Sequence, residues 1–178
     1  MSLVESWAEK LAIKIKQANP EQTASVPVMK FALIIVINFT VPVIAAMAFG
    51  ISTGKGAETL TAVSYLLCLR MLSGGYHFER PLPCMLITFL IVAVPPHMDM
   101  AEQWTPILTG IALILVLLLA PANMKGYNTI PETYYPLLKI VSALIVCSNF
   151  LFFSETAAIV LAVQGFTLLF RNKEVKST

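Results

Sequence analysis

The run FALIIVINFTVPVIAAMAF, residues 31–49, contains no charged side chain and consists mainly of Ile, Val, Ala and Phe. An apolar run of this length is typical of a helix that crosses the hydrocarbon core of a bilayer. The whole chain shares this character, since 57% of its 178 residues are hydrophobic, 12% are charged and the mean hydropathy is +0.79. A soluble domain with so few charges could not cover its surface, so the sequence predicts an integral membrane protein.

Six apolar segments of this kind follow an N-terminal stretch of mixed character. They are too long for core strands, they do not alternate strictly, and backbone groups in lipid need internal partners, so we expect helices. The segments are 31–49, 57–72, 82–94, 106–120, 137–153 and 157–170. The predicted fold class is therefore all-α: a polytopic membrane protein with six transmembrane helices over 31–170, in a single domain spanning 1–178.

Residues 2–18 predict an amphipathic helix. Trp7, Leu11 and Ile15 fall on one arc at about 100° per residue, with lysines beside the arc. A helix of this composition suits the surface of an anionic membrane, and packing against the protein's own cytosolic loops is an equally open alternative. No cleavable signal peptide is expected, because the first apolar run is long enough to span a bilayer.

The basic residues predict the orientation in the membrane. If the N-terminus is cytosolic and all six segments cross, eleven of the twelve Lys and Arg residues lie inside and only Lys55 lies outside. Positive-inside bias therefore predicts a multi-pass protein with both termini, and the loop after the second segment, in the cytosol. The net charge of +2 is too small to indicate a nucleic-acid partner, and none is expected.

The loop between the second and third segments, RMLSGGYHFERPLPC at residues 70–84, carries most of the reactive side chains. A continuous helix would hold His77 and Cys84 about 10 Å apart along its axis. A nucleophile and its base need heavy atoms roughly 2.6–3.2 Å apart, so the chain must reverse between them. The glycine pair Gly74-Gly75 and the nearby prolines supply that reversal. We interpret Cys84 as a nucleophile and His77 as its base.

The start of the third segment suits this interpretation. Pro83 is favourable in a first helical turn, which places Cys84 near free backbone N–H groups and the positive end of the helix dipole. Both favour the thiolate over the thiol. The amides of Cys84 and Met85 are expected to hold the oxyanion of a tetrahedral intermediate. His77 is expected to take the thiol proton and give one to the leaving amine.

Charged neighbours leave several alternatives open. Arg70 and Arg80 either raise the positive potential at the thiol or bind a substrate carboxylate, and Glu79 either orients the imidazole or faces solvent. A plainer alternative makes Cys84 a small apolar helix residue and His77 a loop histidine at the headgroup level. A zinc site is a further alternative. Zinc needs three or four protein ligands, so no metal is predicted. No cofactor is predicted either.

The remaining polar residues of the apolar segments are interpreted as structural. Asn38, Ser64, Asn149 and Gln164 are expected to form hydrogen bonds between helices. Cys68 and Cys147 are expected to be buried and inert.

Residues 73–77, Ser-Gly-Gly-Tyr-His, followed seven positions later by Cys84, resemble the signature of the accessory gene regulator B (AgrB) family. Members of that family are bacterial membrane peptidases that process quorum-sensing propeptides. The similarity extends to the charged amphipathic start, the six apolar segments and the basic tail. It implies that Cys84 is the nucleophile and His77 the second catalytic residue, and that Arg70 and Gly75 match positions on which the family relies.

The resemblance also implies the reaction and the partners. Family members cut a precursor peptide (AgrD) near its acidic C-terminal part and keep the N-terminal portion as an enzyme thioester. A cysteine or serine of that peptide then attacks, which releases a thiolactone or lactone ring. A homodimer in the bacterial cell membrane is implied as well. The alternatives from other classes are a small peptide transporter and a non-catalytic scaffold, although the sequence shows no clear paired repeats or mid-membrane ionisable residues typical of transporters.

Overall fold

Seven α-helices form the part of the chain that the structure, a computed structural model, describes: residues 3–76, 78, 80–124 and 130–170. The helices are α1 (Leu3–Ala18), α2 (Val26–Ser52), α3 (Gly56–Ser73), α4 (Pro81–Ala93), α5 (Trp104–Leu119), α6 (Tyr135–Phe152) and α7 (Glu155–Thr167). Short 3₁₀ turns at Pro95–His97 and Glu132–Tyr134 precede α5 and α6. The all-α prediction is confirmed for these residues.

Each predicted apolar segment coincides with one of the helices α2 to α7. The largest difference is at the start of α2, which begins at Val26 rather than at residue 31. Two helices, Val26–Ser52 and Glu132–Phe152, are long and apolar enough to cross a membrane, and only 11% and 22% of their most apolar stretches are buried. Faces of this kind are typical of helices surrounded by lipid. Six crossings stay a prediction.

The chain forms two compact units. The first comprises Met1–Ala46 and Phe78–Leu90, and the second comprises Met47–His77 and Ile91–Thr178. Two of the three divisions fall inside α2 and α4, and the third falls between residues 77 and 78. A single domain over residues 1–178 stays a prediction.

In the first unit, an ion pair joins α1 to α2. The ammonium group of Lys30 lies 2.8 Å from a carboxylate oxygen of Glu9. Ala8 and Ala12 form the fully buried positions of α1, whereas the side chain of Trp7 is 71% exposed. An exposed Trp on a helix with flanking lysines supports the membrane-surface alternative, which stays a prediction.

In the second unit, α7 is the central helix. It packs against both α3 and α5, and α6 packs against the same two helices. A Cβ atom at Gly165 would lie 3.2 Å from Leu115 Cδ1, so α5 and α7 approach closely at this glycine. The shared core consists of Leu69, Ala112, Val116, Ala120, Val146, Leu161 and Leu168. Because α7 is buried on most sides, its side chains can reach the ends of several neighbouring helices.

The polar residues of the helices differ in what they bind. Asn149 donates to Thr109 Oγ1 at 2.9 Å, so the predicted hydrogen bond between helices is confirmed there for α6 and α5. The prediction was wrong for Ser64, whose hydroxyl donates to the carbonyl oxygen of Leu60 in its own helix at 2.8 Å. An exposed serine in a helix can satisfy its hydroxyl with the preceding turn, so it needs no partner on another helix.

The glycine at position 50 tests the packing of α2 on α3. A Cβ atom there would lie 2.1 Å from Oγ1 of the buried Thr59, so Gly50→Ala must separate the two helices. We expect the free energy of unfolding to fall by about 1–3 kcal/mol, measured by thermal denaturation in detergent. Gly110→Ala is the matched control, because among the described residues no side chain or neighbouring backbone lies within 4 Å of its Cβ position. Equal Tm values for the two variants would contradict the packing.

Candidate active site

The loop that follows α3 is paired with a second segment of the chain. Helix α3 ends at Ser73, and the next two residues have positive φ angles, 72° at Gly74 and 132° at Gly75. The amide of Ala122 donates to Ser73 O at 2.9 Å, and the amide of Gly75 donates to Ala122 O at 3.1 Å. These two bonds form a parallel β-bridge. Because L side chains rarely adopt such φ angles, the loop requires its two glycines.

The side chain of Gln164 reaches this loop from α7. It is fully buried, and its Nε2 donates to Gly74 O at 2.8 Å and to Ser73 Oγ at 3.4 Å. Its Oε1 accepts a hydrogen bond of 3.3 Å from Arg70 Nη1. Both ends of one buried amide are therefore directed at the end of α3 and the loop after it.

Arg70 lies in the last turn of α3 and contacts the loop from the other side. Its Nη1 also donates to Thr167 Oγ1 at 3.3 Å, and its Nη2 donates to the carbonyl oxygen of Tyr76. The planar guanidinium can make these bonds in different directions at once. We call Arg70, Gln164 and Thr167 the loop clamp. Binding of a substrate carboxylate by Arg70 stays a prediction.

Two further contacts lie beside the loop. Asn123 Nδ2 donates to the carbonyl oxygen of Phe170 at 2.8 Å. The rings of Tyr76 and Phe170 meet edge to face, with centroids 6.1 Å apart and an interplanar angle of 65°. The loop is thus enclosed by α3, by the segment after α5 and by the end of α7.

Cys84 lies in the first turn of α4, which begins at Pro81. Its side chain is half-buried, and its thiol is free of a disulfide. The predicted position at a helix start is therefore confirmed.

The amides at the start of α4 follow from its register. An α-helical amide donates to the carbonyl four residues earlier, so the amides of Cys84 and Met85 are directed at the carbonyls of Arg80 and Pro81. Proline has no N–H, so positions 81 and 83 contribute none. The amides without an acceptor inside the helix are those of Arg80 and Leu82. The oxyanion roles of the Cys84 and Met85 amides stay predictions.

The predicted site residues fall into three groups. Those brought together around the loop, all in the second unit, are Arg70, Gly74 and Gly75. Those at or next to the start of α4, in the first unit, are Arg80, Cys84 and Met85. His77 and Glu79 lie outside the described residues, so the pairing of His77 with Cys84 and the role of Glu79 stay predictions.

Only part of the loop's surroundings could be predicted from the sequence. The hydrogen bonds between helices predicted for Gln164 are confirmed, since Arg70 and Ser73 belong to α3. The bond from Gln164 to Gly74 O and the contact of Thr167 with Arg70 were not predicted. The available signal was an amide and a hydroxyl three positions apart in an otherwise apolar segment, a spacing that puts both on one helix face. The prediction that Cys68 is buried was wrong, since its side chain is exposed. Cys68 lies on the side of α3 away from its buried residues such as Leu66 and Leu69.

Sequence comparison agrees with this architecture. A sequence model of the family described as Accessory gene regulator B matches residues 8–170, which is most of the chain. The chain belongs to this AgrB family. A protein of Halalkalibacterium halodurans described as AgrB-like is 27% identical over 110 residues, which cover 62% of this chain and 56% of that relative. No solved structure matches the chain. AgrB membership and the exposed apolar faces of α2 and α6 identify a membrane protein.

Gly75 provides a test of the crowding around the loop. A Cβ atom there would lie 2.6 Å from Arg70 Nη1 and 2.7 Å from Thr167 Oγ1, so Gly75→Ala must displace the loop or the clamp. The matched control is Gly54→Ala, because Gly54 also has a positive φ, 74°, but no described atom lies within 4 Å of its Cβ position. Backbone strain alone costs about 1–2 kcal/mol. We expect Gly75→Ala to lower the Tm clearly more than Gly54→Ala; the reverse order would contradict the crowding.

Proposed function

We propose that this AgrB protein is a membrane cysteine endopeptidase that processes an AgrD-type propeptide for quorum sensing. The observation that carries the proposal is the ordered loop Ser73–Tyr76, which ends one residue before His77 and is held by hydrogen bonds on both sides. A general base acts only when it is held in a narrow range of positions. Family membership supplies the class of substrate, and the free thiol of Cys84 at a helix start supplies the nucleophile.

In the first step, the sulfur of Cys84 attacks the carbonyl carbon of the scissile peptide bond. His77 takes the thiol proton, and the carbonyl oxygen becomes an oxyanion that backbone amides stabilise. We place that oxyanion at the amides of Arg80 and Leu82, which have no acceptor inside α4. The carbon–nitrogen bond then breaks, and His77 gives its proton to the leaving amine. The C-terminal part of the peptide departs, and the N-terminal part stays on Cys84 as a thioester.

In the second step, a cysteine of the bound peptide attacks the thioester. The new bond closes a thiolactone ring, and Cys84 leaves as a thiolate that regains a proton. Exchange between two thioesters is nearly isoenergetic, so the rate depends on holding the peptide thiol close, where effective molarities reach about 10⁵ M or more. A serine in place of the peptide cysteine would give a lactone. A pocket poor in water protects the thioester from hydrolysis.

The topology that suits this reaction is the one predicted from charge. Six crossings with both termini in the cytosol put Arg70, Arg80 and Lys125 on the cytosolic side, where they attract the acidic tail of a propeptide. Lys125 lies outside the described residues. Assembly as a homodimer is part of the proposal through the family alone.

The cleavage step can be tested with the full-length protein co-expressed with its AgrD-type precursor. We expect Cys84→Ala and His77→Gln to abolish the cleaved product, because each removes one partner of the proton transfer. Intact-mass spectrometry of the precursor provides the measurement, and Cys68→Ala and Cys147→Ala are matched controls that should cleave normally. Unchanged cleavage in the Cys84 and His77 variants would exclude the peptidase and favour a transporter or a scaffold.

The reactivity of the thiol gives an independent test. In detergent-solubilised variants that each retain a single cysteine, Cys84 should react with iodoacetamide at neutral pH about 10-fold faster than Cys68 or Cys147, because a thiolate is the reactive form. Cys68 is an informative comparison, since it lies on the exposed side of α3 and its thiol is free of a disulfide. The measurement is the alkylated fraction against time by mass spectrometry. Equal rates for Cys84 and Cys68 would mean that Cys84 is not activated.

A further inference from the structure

We propose that Gln164 and Thr167 are positioning residues that hold the loop in front of His77 in the orientation that the base requires. This inference rests on the cysteine peptidase function proposed above. Neither residue carries out the chemistry; both act through the backbone of the loop.

The amide of Gln164 is oriented by the loop and not by the packing of α7. Its Nε2 donates to Gly74 O at 2.8 Å, and its Oε1 accepts from Arg70 Nη1 at 3.3 Å. A fully buried amide loses its hydration and needs such partners. The neighbouring buried residues of α7, such as Leu161 and Ala162, are apolar, so an apolar residue would be compatible with the helix packing at this position. The amide of Gln164 is therefore explained by its hydrogen bonds to the loop and to Arg70.

Thr167 extends the same contact by one turn of α7. Its hydroxyl donates to Gln164 O at 2.7 Å and accepts from Arg70 Nη1 at 3.3 Å. A Cβ atom at Gly75 would lie 2.7 Å from this hydroxyl oxygen. The clamp therefore occupies the space beside Gly75, so a residue with a Cβ atom does not fit there without a displacement.

The clamp fixes the direction in which the chain enters His77. Gln164 holds the carbonyl oxygen of Gly74, and Arg70, itself bonded to Gln164 and Thr167, holds the carbonyl oxygen of Tyr76. The carbonyl carbon of Tyr76 is bonded to the nitrogen of His77. With both of these carbonyls held, the backbone that precedes His77 has little freedom to rotate. A misplacement of a reacting group by 1 Å lowers a rate by about 100-fold.

Near-isosteric variants of the purified, nanodisc-embedded protein test this role with a synthetic precursor peptide as substrate. We expect Gln164→Met and Thr167→Val to lower kcat by about 10- to 100-fold while KM changes by less than about 3-fold, because they displace the base but leave peptide binding intact. Thr167→Ser keeps the hydroxyl and should remain within about 3-fold of the wild-type kcat. Asn149→Leu removes a buried amide bonded to Thr109 and Ser154 and is the matched control, which should lower the Tm without this loss of kcat.

A double-mutant cycle separates positioning from general stability. With Cys68 and Cys147 replaced by Ser, the rate of Cys84 alkylation by iodoacetamide is compared for Gln164→Met with and without His77→Gln. If the clamp acts through His77, Gln164→Met slows alkylation in the parent and adds no further slowing in the His77→Gln background. Equal slowing in both backgrounds, or a wild-type kcat in Gln164→Met, would overturn the inference.

The outcomes also distinguish the two proposals. If Cys84→Ala and His77→Gln both leave cleavage unchanged, the cysteine peptidase function and the positioning role fail together. If His77→Gln is inactive but Gln164→Met and Thr167→Val behave as wild type, only the positioning role fails. Should Gln164→Met not fold, the contrast between Thr167→Val and Thr167→Ser decides the question, since equal kcat values for these two would exclude a role for the hydroxyl.

Discussion

The buried amide of Gln164 is the contact on which the arrangement of the loop after α3 depends. An amide removed from water must find partners for both its N–H groups and its oxygen. It finds them in Gly74 O, Ser73 Oγ and Arg70 Nη1. Of these, Gly74 O is a backbone carbonyl just beyond the end of α3, where helical partners are lacking. The side chain of Gln164 and the loop therefore supply each other's hydrogen-bond partners. Replacing either one alone leaves a polar group buried without its partner.

The rigidity of this contact comes from the helix that carries it. Helix α7 packs against both α3 and α5, and three alanines and one glycine among its thirteen residues allow close approach. Gly165, next to Gln164, allows the approach to α5, and Leu161 on the preceding turn belongs to the apolar core. A close-packed core resists small displacements. A side chain on such a helix holds a loop more firmly than a side chain on another loop would.

Much of the fold could be predicted from the sequence because it depends on local patterns. Long apolar runs separated by Gly, Pro and charged residues indicated the positions of α2 to α7, and Pro83 indicated a helix start beside Cys84. The glycine pair indicated a tight loop, and both glycines have positive φ angles. Each of these features depends on residues that are neighbours in the chain.

The partners of the loop could not be predicted, because they are distant in sequence. Nothing near Arg70 indicates that its guanidinium meets Thr167, which lies 97 positions away. The side of α3 that faces the core is equally a tertiary property, which is why Cys68 was assigned to the wrong environment. A polar residue in an apolar segment signals that a partner exists, but the sequence does not say which one.

The contacts of α7 with the loop form late, because α7 is synthesised after the loop. The ribosome releases the segment with His77 and Cys84 while the codons for α7 are still untranslated, because Gln164 lies 90 positions beyond Gly74. A nascent chain that stops before α7 therefore carries the thiol but lacks the hydrogen bonds that order the preceding loop. A product truncated before α7 would lack the hydrogen bonds from Gln164 and Thr167 to Arg70 and to the loop after α3.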